Sequence, residues 1–189
     1  MRASVTLILA LLATLWASVA RADPPAPGDD EAPRSSTSYR LAVLADQRNL
    51  LDLSVLGGGI AFSVGSAHDK IGGQFEMRAM LGRTAGGLST FEVGVGGSGD
   101  FVIAAGAFIG VGGGLALFGV ERATDGSEIL SVGPDLYGRV GYRFGKRMAP
   151  FVALDLDGQL HVGSTGGFLS GNPVGTFVWG PTLVVGYQF

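Results

Sequence analysis

The last thirteen residues, Phe177-Val-Trp-Gly-Pro-Thr-Leu-Val-Val-Gly-Tyr-Gln-Phe189, decide the fold class. Phe177, Trp179, Pro181, Leu183, Val185, Tyr187 and Phe189 fall on one face, and Val178, Gly180, Thr182, Val184, Gly186 and Gln188 on the other. A period of two is the signature of a β-strand. The first face is wholly apolar with aromatics at both ends. A tilted strand of about 10 residues needs that pattern to cross hydrocarbon between two interfacial aromatic girdles.

Upstream, the same alternation returns with charges on the second face. In Phe151 to Val162, the residues Val152, Leu154, Leu156, Leu160 and Val162 oppose Asp155, Asp157, Gln159 and His161. In Leu130 to Phe144, the residues Val132, Leu136, Val140, Tyr142 and Phe144 oppose Asp135, Tyr137, Arg139 and Arg143. Further strands are expected at Tyr39 to Asp46, Leu51 to Gly65, Ile71 to Arg83, Leu88 to Gly96 and Phe101 to Glu121. In the third of these, Phe75, Met77, Ala79 and Leu81 oppose Gln74, Glu76 and Arg78. In the second, the parity changes around Gly57-Gly58-Gly59, which reads as a β-bulge. The total is eight, and an even number brings both chain ends to the same side. A barrel of that size has an interior just wide enough for side chains to fill. Gly145 to Pro150 reads as a short turn and Gly163 to Thr176 as a longer loop at the opposite end.

Phe101 to Val120 also admits a rival reading. It is a run of uncharged residues with Gly106, Gly110 and Gly114 at the spacing of a close-packed transmembrane helix. Yet six of its twenty residues are glycine, each costing roughly 1 kcal/mol against alanine in a helix. Its alternate positions also divide cleanly. Phe101, Ile103, Ile109, Val111, Leu115 and Leu117 oppose the small residues Gly106, Gly110, Gly112, Gly114 and Ala116, with Phe108 and Phe118. A lone helix would leave the other strands as an open sheet with unpaired edges, which hydrocarbon does not tolerate.

The chain start and the composition agree with export. Arg2, the apolar run Val5 to Trp16 and Ala20-Arg21-Ala22 read as a secretory signal cleaved after Ala22, with Ser18-Val19-Ala20 as a second cleavage motif. Residues 23–38, rich in Pro, Asp, Ser and Ala, read as a flexible leader, and residues 39–189 as the barrel. Thirty-three glycines, 47% hydrophobic residues and 15% charged residues depart from the roughly 7% glycine and 25% charge of ordinary soluble domains. With no cysteine there is no disulfide framework and no lipid-attachment thiol. The net charge of −3 offers no basic footprint for nucleic acid.

These features resemble the small eight-stranded outer-membrane barrels of the OmpA/OmpX type. The resemblance rests on the signal, the alternating strands and the terminal Gly180-Pro-Thr-Leu-Val-Val-Gly-Tyr-Gln-Phe189. It implies an all-β, antiparallel up-and-down barrel in the outer membrane of a Gram-negative envelope. The expected partners are outer-membrane lipid and the barrel assembly machinery. The lipid-facing assembly strand would present Phe177, Trp179, Leu183, Val185, Tyr187 and Phe189. The match assigns no activity, since such barrels include adhesins, lipid-modifying enzymes and narrow pores.

Glu76, Arg78, Glu92, Asp135, Arg139, Arg143, Asp155, Asp157 and His161 are the expected lumen charge network. Unpaired buried charge is expensive, so groups of both signs in a narrow interior should pair. They form either a salt-bridged plug, the reading adopted, or the lining of a narrow pore. Asp155 and Asp157 share a strand face and could share a proton or a metal, but the other histidine, His68, lies in an expected turn. No metal or cofactor is therefore expected.

His161-Val-Gly-Ser164 followed by Gly171-Asn172-Pro173 faintly resembles the active-site region of PagL-type lipid A deacylases. That resemblance implies Ser164 as nucleophile and His161 as base of an acyl hydrolase, with Asp155 or Asp157 as orienter. The His-to-Ser spacing is one residue longer than in that family, and Thr165 stands where the pattern has Asn. No acid follows His161. The reading adopted is a non-enzymatic barrel with a structural, envelope-maintenance or surface-contact role. Gly94-Val-Gly-Gly-Ser-Gly99 spells GxGxxG, but it is followed by an apolar strand and not the helix a dinucleotide site needs, so it reads as a turn.

Overall fold

The computed structural model describes residues 36–50, 53–67, 70–104, 106–121, 128–145, 148–164 and 176–189. The expected signal, most of the leader and His68 lie outside them. Eight strands run in chain order: β1 (Ser36–Leu50), β2 (Leu53–Ala67), β3 (Ile71–Thr84), β4 (Ser89–Ala104), β5 (Ala107–Glu121), β6 (Glu128–Arg143), β7 (Ala149–Ser164) and β8 (Thr176–Gln188). Each pairs antiparallel with its neighbours, and β8 pairs with β1, so the sheet is a closed up-and-down barrel. Closure satisfies every edge, which is what allows a sheet to stand in hydrocarbon. The last pair of the seam is reciprocal: Tyr39 N donates to Phe189 O (3.2 Å) and Phe189 N to Tyr39 O (2.8 Å).

The period-two pattern sorts side chains across the wall, apolar outward and polar inward. Val111, Leu136, Leu56 and Val43 are 70%, 69%, 68% and 64% exposed, whereas Arg48, Gln159 and Thr182 are 1% or less. The six assembly-strand residues, Phe177, Trp179, Leu183, Val185, Tyr187 and Phe189, all stand on the outer face. Aromatic pairs Tyr142–Phe144 and Tyr187–Phe189, with ring centroids 5.0 and 4.9 Å apart, stand side by side at the end that holds the C-terminus.

Three local expectations are corrected. Gly94–Gly99 is not a turn: the whole segment lies inside β4, in unbroken register with β3 and β5. The uncharged run from Phe101 is therefore neither one strand nor a helix. It is the end of β4, a two-residue link after Ala104, and β5 from Ala107. Gly106 in that link has φ +97°, and a side chain there would run into the carbonyl of Arg143. Nor is there a bulge at Gly57–Gly59, since β2 pairs continuously with β1 and β3. The apparent parity change arises because Val55 is an apolar residue that faces inward. The irregularities lie instead at Val102/Ala104 and Ser131/Val132.

Candidate functional site

The site is the lumen. Inner positions of β1, β3, β6 and β7 carry most of the acids and bases; β4 adds Glu92 and Asp100, and between these two, as in the middle of β5, the inner positions are glycine or small. Glycine supplies room where larger residues reach across. A Cβ on Gly112 would strike the Tyr137 ring, and one on Gly94 would lie 2.9 Å from Arg78 Cγ. Tyr137 thus lies against two guanidiniums, with Arg78 Cζ 4.5 Å and Arg139 Cζ 5.0 Å from its ring centre.

The inner polar residues form two groups. The larger is organised by three arginines. Arg139 grips Asp155 with two bonds, Nε to Oδ1 and Nη2 to Oδ2, both 2.7 Å, and reaches Glu76 Oε2 at 3.2 Å. A bidentate guanidinium–carboxylate pair is among the stronger ionic contacts. Arg78 donates to Asp157 Oδ1 at 2.8 Å and faces Asp135 Oδ2 at 3.3 Å and Glu76 Oε1 at 3.7 Å. Arg48 pairs with Glu92. Its Nε lies 2.9 Å from Asp46 Oδ2, near enough for an ion pair but off the direction of a hydrogen bond.

A neutral chain extends this group. Gln159 Nε2 donates to Glu92 Oε1 at 3.0 Å, which turns its oxygen toward His161 Nε2 at 2.9 Å. His161 Nε2 thus faces the Gln159 oxygen as a donor, and Nδ1 lies 3.2 Å from Ser131 Oγ, whose hydroxyl also points to the Phe118 carbonyl at 3.5 Å. Phe118 stacks at a tilt on the ring, 5.5 Å between centroids.

The smaller group lies nearer the end of the barrel that holds the C-terminus. Arg40 pairs with Asp100, donates to Gln188 Oε1 at 3.0 Å, and stands 5.4 Å from the Phe151 ring centre. With its oxygen toward Arg40 (2.9 Å to Nε) and its nitrogen donating to Ser63 Oγ (2.7 Å), Gln74 is satisfied at both atoms. Arg143 is half-buried beside the Phe108 ring, 5.9 Å from its centre, and outside the ion pairs of the larger group.

Apolar layers flank these groups. Along β1, Ala42 and Leu44 separate Arg40 from Asp46, and they pack with Ala61, Met80, Phe108, Phe151, Ala153 and Val184. Beyond His161, Val55, Phe118, Val120 and Val178 with Leu88 close the opposite end. Leu88 is held there by a tight turn, with Thr84 N donating to Leu88 O (2.9 Å) and Gly87 at φ +83°. Two voids border the larger group, one under Tyr137 and one beside Arg48. Each has room for about one water.

Eight of the nine expected network residues, Glu76, Arg78, Glu92, Asp135, Arg139, Asp155, Asp157 and His161, are thus brought together, and Arg143 stands apart. Arg40, Asp46, Arg48, Asp100, Ser131, Gln159 and Thr182 were not among them. Their signal was present on β1, where Arg40, Asp46 and Arg48 share one parity. Asp100 was hidden by the reading of the preceding glycines as a turn. The triad reading receives no help from this geometry. Both ring nitrogens of His161 are engaged, and Asp155 and Asp157 are turned to Arg139, Arg78 and Thr182. The Ser164 side chain and residues 171–173 lie outside the described residues.

Architecture and lumen together define a small eight-stranded barrel of the outer-membrane kind with a filled interior. Among solved structures the chain is similar to Neisserial surface protein A, with TM-score 0.54, 12% identity, and coverage of 80% of this chain and 95% of that one. It is also similar to the N-terminal β-barrel domain of Pseudomonas aeruginosa OprF, with TM-score 0.50, 17% identity, and coverage of 79% and 97%. At these identities the likeness concerns the fold. No protein-family model matches the chain, and no curated protein matches it.

Proposed function

We propose that this protein is a closed barrel of a Gram-negative outer membrane, exported by a cleaved signal, with a structural, envelope-maintenance or surface-contact role and no catalytic one. The observation that carries this reading is the packed lumen, in which ion pairs are stacked between two apolar layers. Such an interior braces the wall and leaves lipid contact and the loops as the working surfaces. The outer band of exposed Val, Leu, Ile and aromatic residues supports outer-membrane lipid as the principal partner. The alternation from Phe177 to Phe189 supports recognition of β8 by the assembly machinery.

Planar-bilayer recording tests the closed lumen. Inserted protein should be electrically silent, and steady conductance would replace the plug with the pore reading. Location is tested by outer-membrane fractionation with heat-modifiable migration in detergent gels. For the hydrolase alternative the assay is acyl release from outer-leaflet lipid. None is expected from the wild type, whereas release that disappears in Ser164→Ala would make the protein an enzyme.

A further inference from the structure

The larger lumen group holds more acid than base. Six buried carboxylates, on Asp46, Glu76, Glu92, Asp135, Asp155 and Asp157, face three buried guanidiniums, on Arg48, Arg78 and Arg139. His161 adds at most one positive charge, which still leaves the acids in excess. Burial of uncompensated charge is strongly unfavourable, so the excess must be relieved inside the compartment.

One contact shows where. Thr182 Oγ1 lies 2.8 Å from Asp46 Oδ1 and 2.7 Å from Asp157 Oδ2. A hydroxyl has one proton to donate. It satisfies one of these oxygens and leaves the other facing a lone pair at hydrogen-bond distance. That second contact is attractive only when the carboxyl itself carries a proton and donates it to Thr182. Of the far oxygens, Asp157 Oδ1 accepts from Arg78, and Asp46 Oδ2 is held in an ion pair with Arg48.

Among the described residues the surroundings supply no spare cation. Arg48 is shared with Glu92 from β4, and Arg78 from β3 is shared with Glu76 and with Asp135 from β6. Arg139 from β6 is committed to Asp155 and Glu76. Asp135 Oδ1 is buried without any hydrogen-bond partner. The described inner residues of β2 and β5 nearby, among them Val55, Ala61, Ala116 and Phe118, carry no charge.

The position of the bridge matters as well. Asp46 and Thr182 face each other across the seam that closes the barrel, and there the pairing skips from Asp46↔Thr182 to Asn49↔Trp179. The interval contains Pro181, which has no N–H for the ladder. We propose that Asp46, Thr182 and Asp157 form a proton-holding latch, which ties β1, β8 and β7 together at neutral pH and loosens the seam when the proton leaves.

Unfolding would then release that proton, because a carboxyl in the unfolded chain is ionised above about pH 4. Stability must accordingly fall as pH rises, by up to about tenfold in the folding equilibrium constant per pH unit while the folded state keeps the proton. Urea unfolding from lipid bilayers between about pH 7 and 9 measures this slope, in a window below the ordinary range of Tyr and Lys. In Asp157→Asn the new amide can turn its oxygen to Arg78 and its nitrogen to Thr182, so the latch is kept without a dissociable proton and the slope should flatten. Infrared spectra of the wild type at neutral pH should contain the carbonyl stretch of a protonated carboxyl, lost in Asp157→Asn or in Asp46→Asn. A flat wild-type slope, no such band, or a band untouched by both substitutions overturns the proposal. The wild-type slope and band decide the matter alone should neither variant fold.

Discussion

The inner face of β6 and β7 carries Asp135, Tyr137, Arg139, Asp155, Asp157, Gln159 and His161, whereas the middle of β4 and β5, between Glu92 and Asp100 and between Phe108 and Phe118, carries Gly94, Gly96, Ser98, Gly110, Gly112, Gly114 and Ala116. Both walls obey the same alternation, and both turn an apolar face outward. The difference between them is volume. Charged side chains from β6 and β7 find room there because that stretch of β4 and β5 holds almost no side chain, while Glu92, Asp100, Phe108 and Phe118 stand on either side of it. Glycine on an inner strand face is usually read as weakness. Here it is the space in which guanidiniums and the Tyr137 ring stack.

That contrast can be broken from the charged side first. Arg139→Leu should produce the largest effect, since it leaves Asp155 and Glu76 buried without their main partner. A loss of about 3–5 kcal/mol is expected, read as a lower urea midpoint for unfolding from bilayers. From the empty side, Gly112→Ala places a methyl against the Tyr137 ring on which Arg78 and Arg139 pack. Overpacking of this kind should cost about 1–3 kcal/mol and slow the appearance of the heat-modifiable form.

Gln159→Leu breaks the neutral chain, leaving His161 Nε2–H without its acceptor and Glu92 without one donor. Its expected cost is about 1–3 kcal/mol, accompanied by a change in the His161 ring resonances in NMR spectra. Smallest of all should be Gly138→Ala. Gly138 lies on β6 between Tyr137 and Arg139 but points outward, where a Cβ meets nothing within 4 Å. A change within about 1 kcal/mol of wild type is expected. A large loss there would mean that glycine matters on both faces and would erase the distinction between the walls.

Legibility in the sequence followed side-chain size. β6, β7 and β8 were readable because bulky apolar residues alternate with charged or small ones, so each residue declares its face. Across Gly94–Gly99 nothing declares a face, and a strand interior became an expected turn. The true link near Gly106 sits inside an apolar run without polar turn residues, so no local chemistry marked it. β1 was cut short at Asp46 although Arg48 keeps the parity of Arg40 and Asp46. A charged residue near a strand end looks like loop until a partner such as Glu92 is known.

The sequence by itself determined the alternation, the eight strands and the sorting of apolar from charged faces, because a period of two is a property of consecutive residues. Which carboxylate meets which guanidinium was decided only by the tertiary structure. Arg78 and Asp157 are 79 positions apart, and Arg40 and Gln188 are 148 apart. Their meeting depends on the register of every intervening strand pair and on the closure of β8 against β1. Closure also turned the row of inner charges into a compartment with more acid than base. That imbalance is a property of the enclosed volume and belongs to no single strand.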